Sequence, residues 1–347
     1  MTVEYDALLL VSFGGPEGPE DVIPFLENVL RGKNVPRSRL LEVAEHYGQF
    51  GGVSPINAQN RQLKQAIERE LVSHGIQLPV YWGNRNWHPL LPDTLQQMTS
   101  DGVHRALAFV TSAMSSYSGC RQYRENIARA RELAGPTAPV VDKLRMFFNH
   151  PGFIEPVVEH TQAALAQLPV DLGPQARLIF TAHSIPLAMA QGSRYEAQFT
   201  ESCRLVAEAL GKEAWDLVYQ SRSGPPQQPW LEPDICDRLR QLHAAGQLPA
   251  AVVVPIGFVS DHIEILYDLD TEARAVCNEL GVPMVRAATV GTHPRFVAMI
   301  RELIVERLEP GTERLALGTM GPSHDVCPLD CCLMAPPSAT PHGSATR

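Results

Sequence analysis

The sequence has no surplus of positive charge, no apolar run that could cross a bilayer, and no glycine-rich phosphate loop. Its 29 Lys and Arg stand against 38 Asp and Glu, a formal net charge of −9. The field of such a chain repels nucleic acid and anionic lipid. No long block of like charges occurs, so there is no polyionic tail. No apolar stretch approaches the roughly 18 residues that a membrane-spanning helix requires. The N-terminus, Met1 to Asp6, lacks a basic region and a small-residue cleavage site and runs straight into Ala7-Leu8-Leu9-Leu10-Val11. It does not read as a signal peptide, and the expectation is a soluble, cytoplasmic protein. Gly14-Gly15-Pro16-Glu17-Gly18 is neither a dinucleotide fingerprint nor a Walker A loop. Pro16 removes an N–H donor, and Glu17 and Glu20 would repel a phosphate at the helix start. No nucleotide is expected; a tight turn, structural or packed against a flat ligand, is.

What is present is length and alternation. With 347 residues, 44% of them hydrophobic, the chain can fill two cores, at roughly 150 residues per domain. Short apolar strand patterns recur at Ala7–Phe13, Pro79–Gly83, Arg105–Thr111, Arg177–Thr181, Trp215–Gln220, Ala250–Ile256 and Met284–Ala287. Between them lie helical patterns at Glu20–Leu30, Gln59–His74, Pro92–Asp101, Arg121–Leu133, His150–Gln167, Gln198–Leu210, Glu232–Ala245, Asp261–Leu280 and Pro294–Arg307. Pro156 inside the helix from His150 predicts a late start or a kink. Strand–helix alternation argues for parallel sheets covered by helices on both faces. The expected fold is α/β with two successive domains, 1–150 and 151–310, followed by a Cys-containing tail, 311–347, partly disordered over its last ten residues.

In open α/β sheets, ligands sit beyond the carboxyl ends of the strands. The residues that follow the strands are Ser12-Phe13-Gly14-Gly15, Asn84-Arg85-Asn86, Thr111-Ser112-Ala113, His183-Ser184, Gln220-Ser221-Arg222 and Gly257 to His262. His183, in Thr181-Ala182-His183-Ser184-Ile185-Pro186, can bind Fe²⁺ or move a proton near neutral pH, unless it is a structural histidine. Glu264, Asp268 and Glu272 stand at i, i+4 and i+8, which places three carboxylates on one helix face. Like charges so spaced cost about 0.2–0.5 kcal/mol per pair, a cost that divalent cations passing along the row would offset. The bland alternative is a solvated acidic face. His262-Ile263-Glu264 lacks the downstream P-C-x-x-C of a zinc deaminase. Of seven cysteines, Cys327, Cys331 and Cys332 cluster near the C-terminus. Such a cluster suits zinc or an iron–sulfur centre, unless it is incidental.

Several stretches together resemble the ferrochelatase family. They are Phe13-Gly14-Gly15-Pro16, Gly51-Gly52-Val53-Ser54-Pro55, the His183 segment, Gln220 to Pro226 with Pro229 to Asp234, and Pro255 to Asp268. The likeness covers about residues 5 to 307 with its blocks in order, and is nearest to the coproporphyrin III ferrochelatases of high-GC Gram-positive bacteria. It implies two similar domains with a porphyrin cleft between them, and His183 and Glu264 at the inserted metal, Fe²⁺ being a substrate. It implies porphyrin contacts at Ser54 and Tyr123, and more loosely at Tyr47 and Arg31. Position 13 is Phe where other members carry a Tyr that can ligate product iron; Phe13 can still pack on the macrocycle. Some relatives hold a [2Fe–2S] cluster on one internal and three C-terminal cysteines. Cys327, Cys331 and Cys332 fit in number. The helix from His150 offers no cysteine, which leaves Cys120 as the nearest fourth.

The implied reaction inserts Fe²⁺ into coproporphyrin III, or protoporphyrin IX, in haem biosynthesis. His183 would serve as proton acceptor, metal ligand or both; Glu264 would bind the cation or take the second proton. Asp268 and Glu272 would line a path for cation or proton. Product could pass to a downstream haem-pathway enzyme. The alternatives are a chelatase for another metal or tetrapyrrole, and a non-enzymatic haem or porphyrin binder.

Overall fold

The computed structural model describes residues 4–32, 35–224 and 227–334. The last ten residues, for which disorder is expected, lie outside the described residues. Among the described residues eight strands form two four-stranded sheets. The first contains β1 (Ala7–Ser12), β2 (Val80–Asn84), β3 (Arg105–Val110) and β4 (Val140–Lys143) in the order β2-β1-β3-β4. The second contains β5 (Arg177–His183), β6 (Trp215–Gln220), β7 (Ala251–Val254) and β8 (Met284–Arg286) in the order β6-β5-β7-β8. Every pairing is parallel. β1 is buried along its whole length, as a central parallel strand covered on both faces must be.

Twelve helices of the described residues cover the sheets. They are α1 (Pro19–Val29), α2 (Arg37–Gly48), α3 (Ile56–Ser73), α4 (Leu91–Ser100), α5 (Gln122–Ala134), α6 (Pro151–Leu165), α7 (Leu187–Gln191), α8 (Tyr195–Ala209), α9 (Ile235–Ala244), α10 (Ile263–Tyr267), α11 (Arg274–Glu279) and α12 (Pro294–Leu308). Short π-helical turns occupy Tyr117–Arg121, before α5, and Asp268–Ala273, between α10 and α11. The long helix expected over Asp261–Leu280 runs from Ile263 to Glu279, with the π-helical stretch Asp268–Ala273 inside it. α6 begins at Pro151 with Pro156 in its interior, so the late start does not occur. Strand β4 and helices α2 and α7 were not marked by the sequence pattern. Among the described residues no helix is long and apolar enough to cross a membrane.

Alternation along the strands sorts the core into layers. Leu8 and Leu10 of β1 and Leu178 and Phe180 of β5 belong to one continuous cluster with Phe109, Phe147, Phe153 and Phe296. Those rings interlock, Phe109 on Phe147 at 5.2 Å and Phe147 edge-on to Phe153 at 5.6 Å. Ala7, Leu9 and Val11 face the opposite way, toward Leu91, Leu95 and Ile127. Ile179 and Val253 likewise face Leu239, Ile265 and Leu269. The main core is thus shared between the sheets, in place of two separate cores, because α6 and α12 pack between them and α12 reaches α3 of the first half.

The chain beyond α12 returns over the body to residue 334. The buried Arg145 pairs with Glu306 at 2.7 Å and donates to the Leu315 carbonyl at 2.9 Å. Asn149 donates to the carbonyls of Leu317 and Gly321 and accepts from the Leu317 N–H. Arg145 Nη1 and Asn149 Oδ1 are left without a hydrogen bond, but the bonds that are made hold the tail against the body.

Candidate active site and a candidate metal centre

The carboxyl end of β5 delivers His183. Its Nδ1 lies against the Ser184 carbonyl, and its Nε2 points to Glu264 Oε2 at 3.7 Å. Both side chains are half-buried and partly open to solvent. Enclosure disfavours the imidazolium, but the Glu264 carboxylate outweighs it, and the His183 pKa is raised. Enclosure also disfavours the Glu264 carboxylate. Here His183 and then His262 prevail, and its pKa falls to about 2. Glu264 is therefore an ionised oxygen donor at any physiological pH, suited to a hard or borderline divalent cation.

Behind the pair, Gln220 is wholly buried at the end of β6. It accepts from the Thr181 hydroxyl at 2.9 Å and donates to the Glu264 carbonyl at 3.1 Å and to Asp268 Oδ2 at 3.4 Å. Ser221, in the left-handed region at φ 61°, donates its hydroxyl to the same Asp268 oxygen. Such a conformation is strained for a non-glycine residue and is held by its surroundings. Burial and the charge of Glu264 push the Asp268 pKa up to about 7. Asp268 is thus a group poised to exchange protons near neutrality. Glu272 is exposed one π-helical turn further on. Burial raises its pKa, and so does Asp234. The carboxylates form a row that turns outward, because the wider π turn carries Glu272 away from the line of the first two.

The first half supplies the opposite wall. Phe13 follows β1, is half-buried, and packs edge-on against Phe25 at 6.2 Å. Phe25 also meets Tyr47 at 5.9 Å and Trp87 at 6.3 Å. Burial raises the Tyr47 pKa, and Glu264, facing it across the cleft, adds to this. Gly14 has φ +83°, and a Cβ there would lie 2.9 Å from Asn84 Cβ, so only glycine allows β1 to turn this close to β2. Ser54 is buried beneath Gly15. Tyr123 is buried with the Arg85 guanidinium over its ring at 4.5 Å; the same guanidinium lies 5.6 Å from the Phe13 ring. Arg31 is exposed after α1 and donates to Asn28, which is bonded to the Asn86 carbonyl. At the edge of the cleft the His46 ring stacks on Tyr267 at 3.8 Å and 10°.

Sequence reasoning did not single out Arg85, Gln220 or Ser221, although each lies in a segment that follows a strand. Their roles come from tertiary neighbours. The stacking of His46 on Tyr267 left no trace in the sequence.

A second constellation lies at the tail. Cys120, buried in the π turn before α5, lies within hydrogen-bonding reach of Cys327 and Cys332. Cys331 Sγ is 3.5 Å from Cys332 Sγ. The tail backbone is held in place by Arg121, which donates to the carbonyls of Leu329 and Cys331, and by Arg124, which donates to those of Cys327 and Pro328. Donation from Cys327 and Cys332, with help from Lys143, lowers the Cys120 pKa. The thiols border a cavity of about 640 Å³ that is also lined by Lys143, Arg194 and Arg314. Four convergent thiols beside basic side chains fit an anionic, thiolate-held iron–sulfur group.

A family model described as ferrochelatase matches residues 5–308. A ferrochelatase of Rhodopirellula baltica is 60% identical over 96% of this chain and 94% of its own length. A coproporphyrin III ferrochelatase of Streptomyces griseus is 54% identical, over 98% of this chain and 96% of its own. That of Streptomyces coelicolor is 54% identical, over 94% and 93%. Among solved structures, SirB from Bacillus subtilis with Fe³⁺ matches with a TM-score of 0.53 at 11% identity, covering 90% of this chain and 99% of SirB. At that identity the likeness speaks to the fold alone.

Proposed function

The chain belongs to the ferrochelatase family, and from that membership we propose that coproporphyrin III is the porphyrin into which it inserts Fe²⁺ in haem biosynthesis. It is a lyase. The observation that carries the reading of the site is the His183–Glu264 pair, 3.7 Å apart and partly open to solvent, with Asp268 behind it. The porphyrin lies between the wall of Phe13 and Arg85 and the wall of His183 and Glu264. Arg85 offers a cation to a propionate, while Phe13 and Tyr47 pack on the ring; Ser54, Tyr123 and Arg31 support that wall.

Glu264 receives Fe²⁺ as substrate. Before the ion arrives, the carboxylate favours a proton on His183. The incoming positive charge drives that proton from His183 to Asp268, and imidazole Nε2 then accepts in turn the two pyrrole protons that the ion displaces. Asp268 then takes a proton onward, and Glu272 marks the exit to solvent. In this scheme 1–150 and 151–310 are the two walls and 311–347 is an accessory tail. The protein works in the cytoplasm, and its poorly soluble product is handed to the next haem-pathway enzyme.

Cys120, Cys327, Cys331 and Cys332 would hold a [2Fe–2S] cluster, which supplies one-electron redox capacity when bound. The chain's own part is to place the thiolates and to offset their charge with Lys143, Arg194 and Arg314. Anaerobically purified protein should contain iron and acid-labile sulfide in equal amounts; a colourless, iron-free preparation argues against it.

The decisive experiment on the site is His183→Ala. Fe²⁺ insertion should fall by about a thousandfold, within the usual range for a general base, while porphyrin binding by fluorescence quenching stays within about threefold. Full insertion by a folded variant would sink the assignment. Competition between coproporphyrin III and protoporphyrin IX decides the substrate: preference for the latter overturns the first choice.

A further inference from the structure

The donor set at the tail has one more member than a four-thiolate cluster uses. His324 Nε2 lies 4.0 Å from Cys331 Sγ. The ligating atoms of His324, Cys327 and Cys331 all fall within 4.8 Å of one another. A tetrahedral zinc-like ion, with bonds of about 2.3 Å to sulfur and about 2.0 Å to nitrogen, needs ligand atoms roughly 3.6–3.8 Å apart. The three donors are therefore within about an ångström of that arrangement, and one of its edges is nearly met.

The backbone that carries them is positioned by protein contacts. Arg314 bonds the Ser323 carbonyl and reaches Asp325 Oδ1 at 3.3 Å, gripping the residues on either side of His324. Arg124 bonds the Cys327 carbonyl and Arg121 the Cys331 carbonyl. The set also has an outside and an inside. His324 is exposed and Cys327 and Cys331 are half-buried, whereas Cys120 and Cys332 are buried. An ion arriving from solvent meets the outer three first.

We propose that His324, Cys327 and Cys331 form a site for a single soft divalent cation, zinc or ferrous iron, filled when the four-thiolate cluster is not assembled. Two thiolates and an imidazole suit such an ion, and the fourth position faces the cavity, open to water or to an incoming thiolate. Cys327 and Cys331 belong to both arrangements, so the two exclude each other. The mononuclear site is the metal-bound state of the tail in the absence of the cluster. The inference shares the convergence of the tail with the cluster reading but does not require that a cluster forms.

Co²⁺ is the probe. The full chain, reduced and freed of iron under anaerobic conditions, is titrated with Co²⁺ and followed by absorption. Ions at His183 and Glu264 give no thiolate band, so sulfur-to-cobalt charge transfer reports the tail alone. We expect one tetrahedral equivalent with two thiolates, displaced by Zn²⁺. His324→Gln should weaken it by about tenfold or more, at least the loss seen when an outer-shell partner is removed. The same variant should keep the wild-type iron and sulfide content of anaerobic preparations. Cys120→Ser should do the reverse, keeping the Co²⁺ site and losing the iron and sulfide. Titration of His324→Gln that matches wild type overturns the proposal, as does loss of the Co²⁺ band in Cys120→Ser to the same degree as in His324→Gln. Wild-type protein without iron or sulfide defeats the cluster reading while the Co²⁺ series still decides this one.

Discussion

In the first half, Ser12 ends β1 opposite Asn84; in the second, His183 ends β5 opposite Gln220. The frames agree in strand order and sense. Each carries a cis proline after the outer strand, at His88–Pro89 and Glu232–Pro233, and a π-helical turn after the third strand in sequence, counting from β1 or β5. What differs is the chemistry at matching register. Asn84 Nδ2 turns inward to the His88 carbonyl and to Asn57, which itself donates to Glu17. Gln220 Nε2 instead holds the Glu264 carbonyl and Asp268. The first half thereby presents rings and the Arg85 cation, and the second presents imidazole and carboxylates. On the proposed reading, a fold repeated twice carries a binding wall and a reacting wall that differ in a few side chains at strand ends, which is why fold alone does not name a reaction.

If that division is right, the walls break differently. Glu264→Gln removes the cation's ionised oxygen from the reacting wall. We expect kcat to fall by about 10²–10³, of the order that removing a proton-transfer or charge-stabilising group costs, with little change in porphyrin KM. Arg85→Ala touches the binding wall. Its KM for porphyrin should rise about tenfold, the loss of one charge-assisted hydrogen bond, with kcat within about threefold. Steady-state kinetics on both substrates checks the split. A large kcat loss in Arg85→Ala would erase the distinction between the walls.

Asp268 tests the reacting wall more finely. With its pKa near 7, it can accept a proton only when ionised, so kcat/KM should rise with pH through about 7 as the free enzyme loses that proton. Asp268→Asn should lose this limb and fall about tenfold on the alkaline side. Retention of the limb in the variant would assign it to another group.

Much of this was legible in the sequence, for identifiable reasons. Ala7–Phe13 could only be a buried strand, and the alternation of such runs with helices fixed the parallel class. His183 lay at a strand end, and Glu264 on the helix that follows the segment after β7. Helix α2 escaped because only Leu40 on it is buried, which leaves no apolar stripe. β4 escaped because its four residues are exposed or half-buried at a sheet edge. The π stretch at Asp268–Ala273 escaped because its residues satisfy a regular helical pattern equally well; the π turn is set by what lies around it. The shared core was hidden for a similar reason: periodicity says that Leu8 and Leu178 are inward, not that they face one another's sheet. The approach of Cys120 to Cys327 and Cys332 is tertiary contact across most of the chain, beyond any local signal.

The shared core also means that the two walls should unfold together, and His150 tests that at small cost to activity. It is wholly buried at the start of α6, where Nδ1 accepts the Gly152 N–H at 3.0 Å and Nε2 has no hydrogen bond. Glu302 comes within 3.5 Å, but both its oxygens are engaged by Arg295 at 2.8 and 3.0 Å. Burial first, then Arg145 and Arg295, lower the His150 pKa to about 3. Unfolded, it titrates near 6.5. Between these values only the unfolded chain binds the proton, so the stabilisation is complete above about 6.5 and is lost as pH falls, by about 1.4 kcal/mol per unit. From pH 7.5 to 5.0 this group should cost about 2 kcal/mol. His150→Asn keeps a helix-capping acceptor and removes the titration. Denaturant unfolding at the two pH values should show a drop smaller by about 2 kcal/mol in the variant. The transitions should coincide by far-UV circular dichroism and tryptophan fluorescence, which sample the shared core from both sheets. Equal pH dependence in the two proteins would remove His150 as the source, and two separated transitions would show that the walls fold apart.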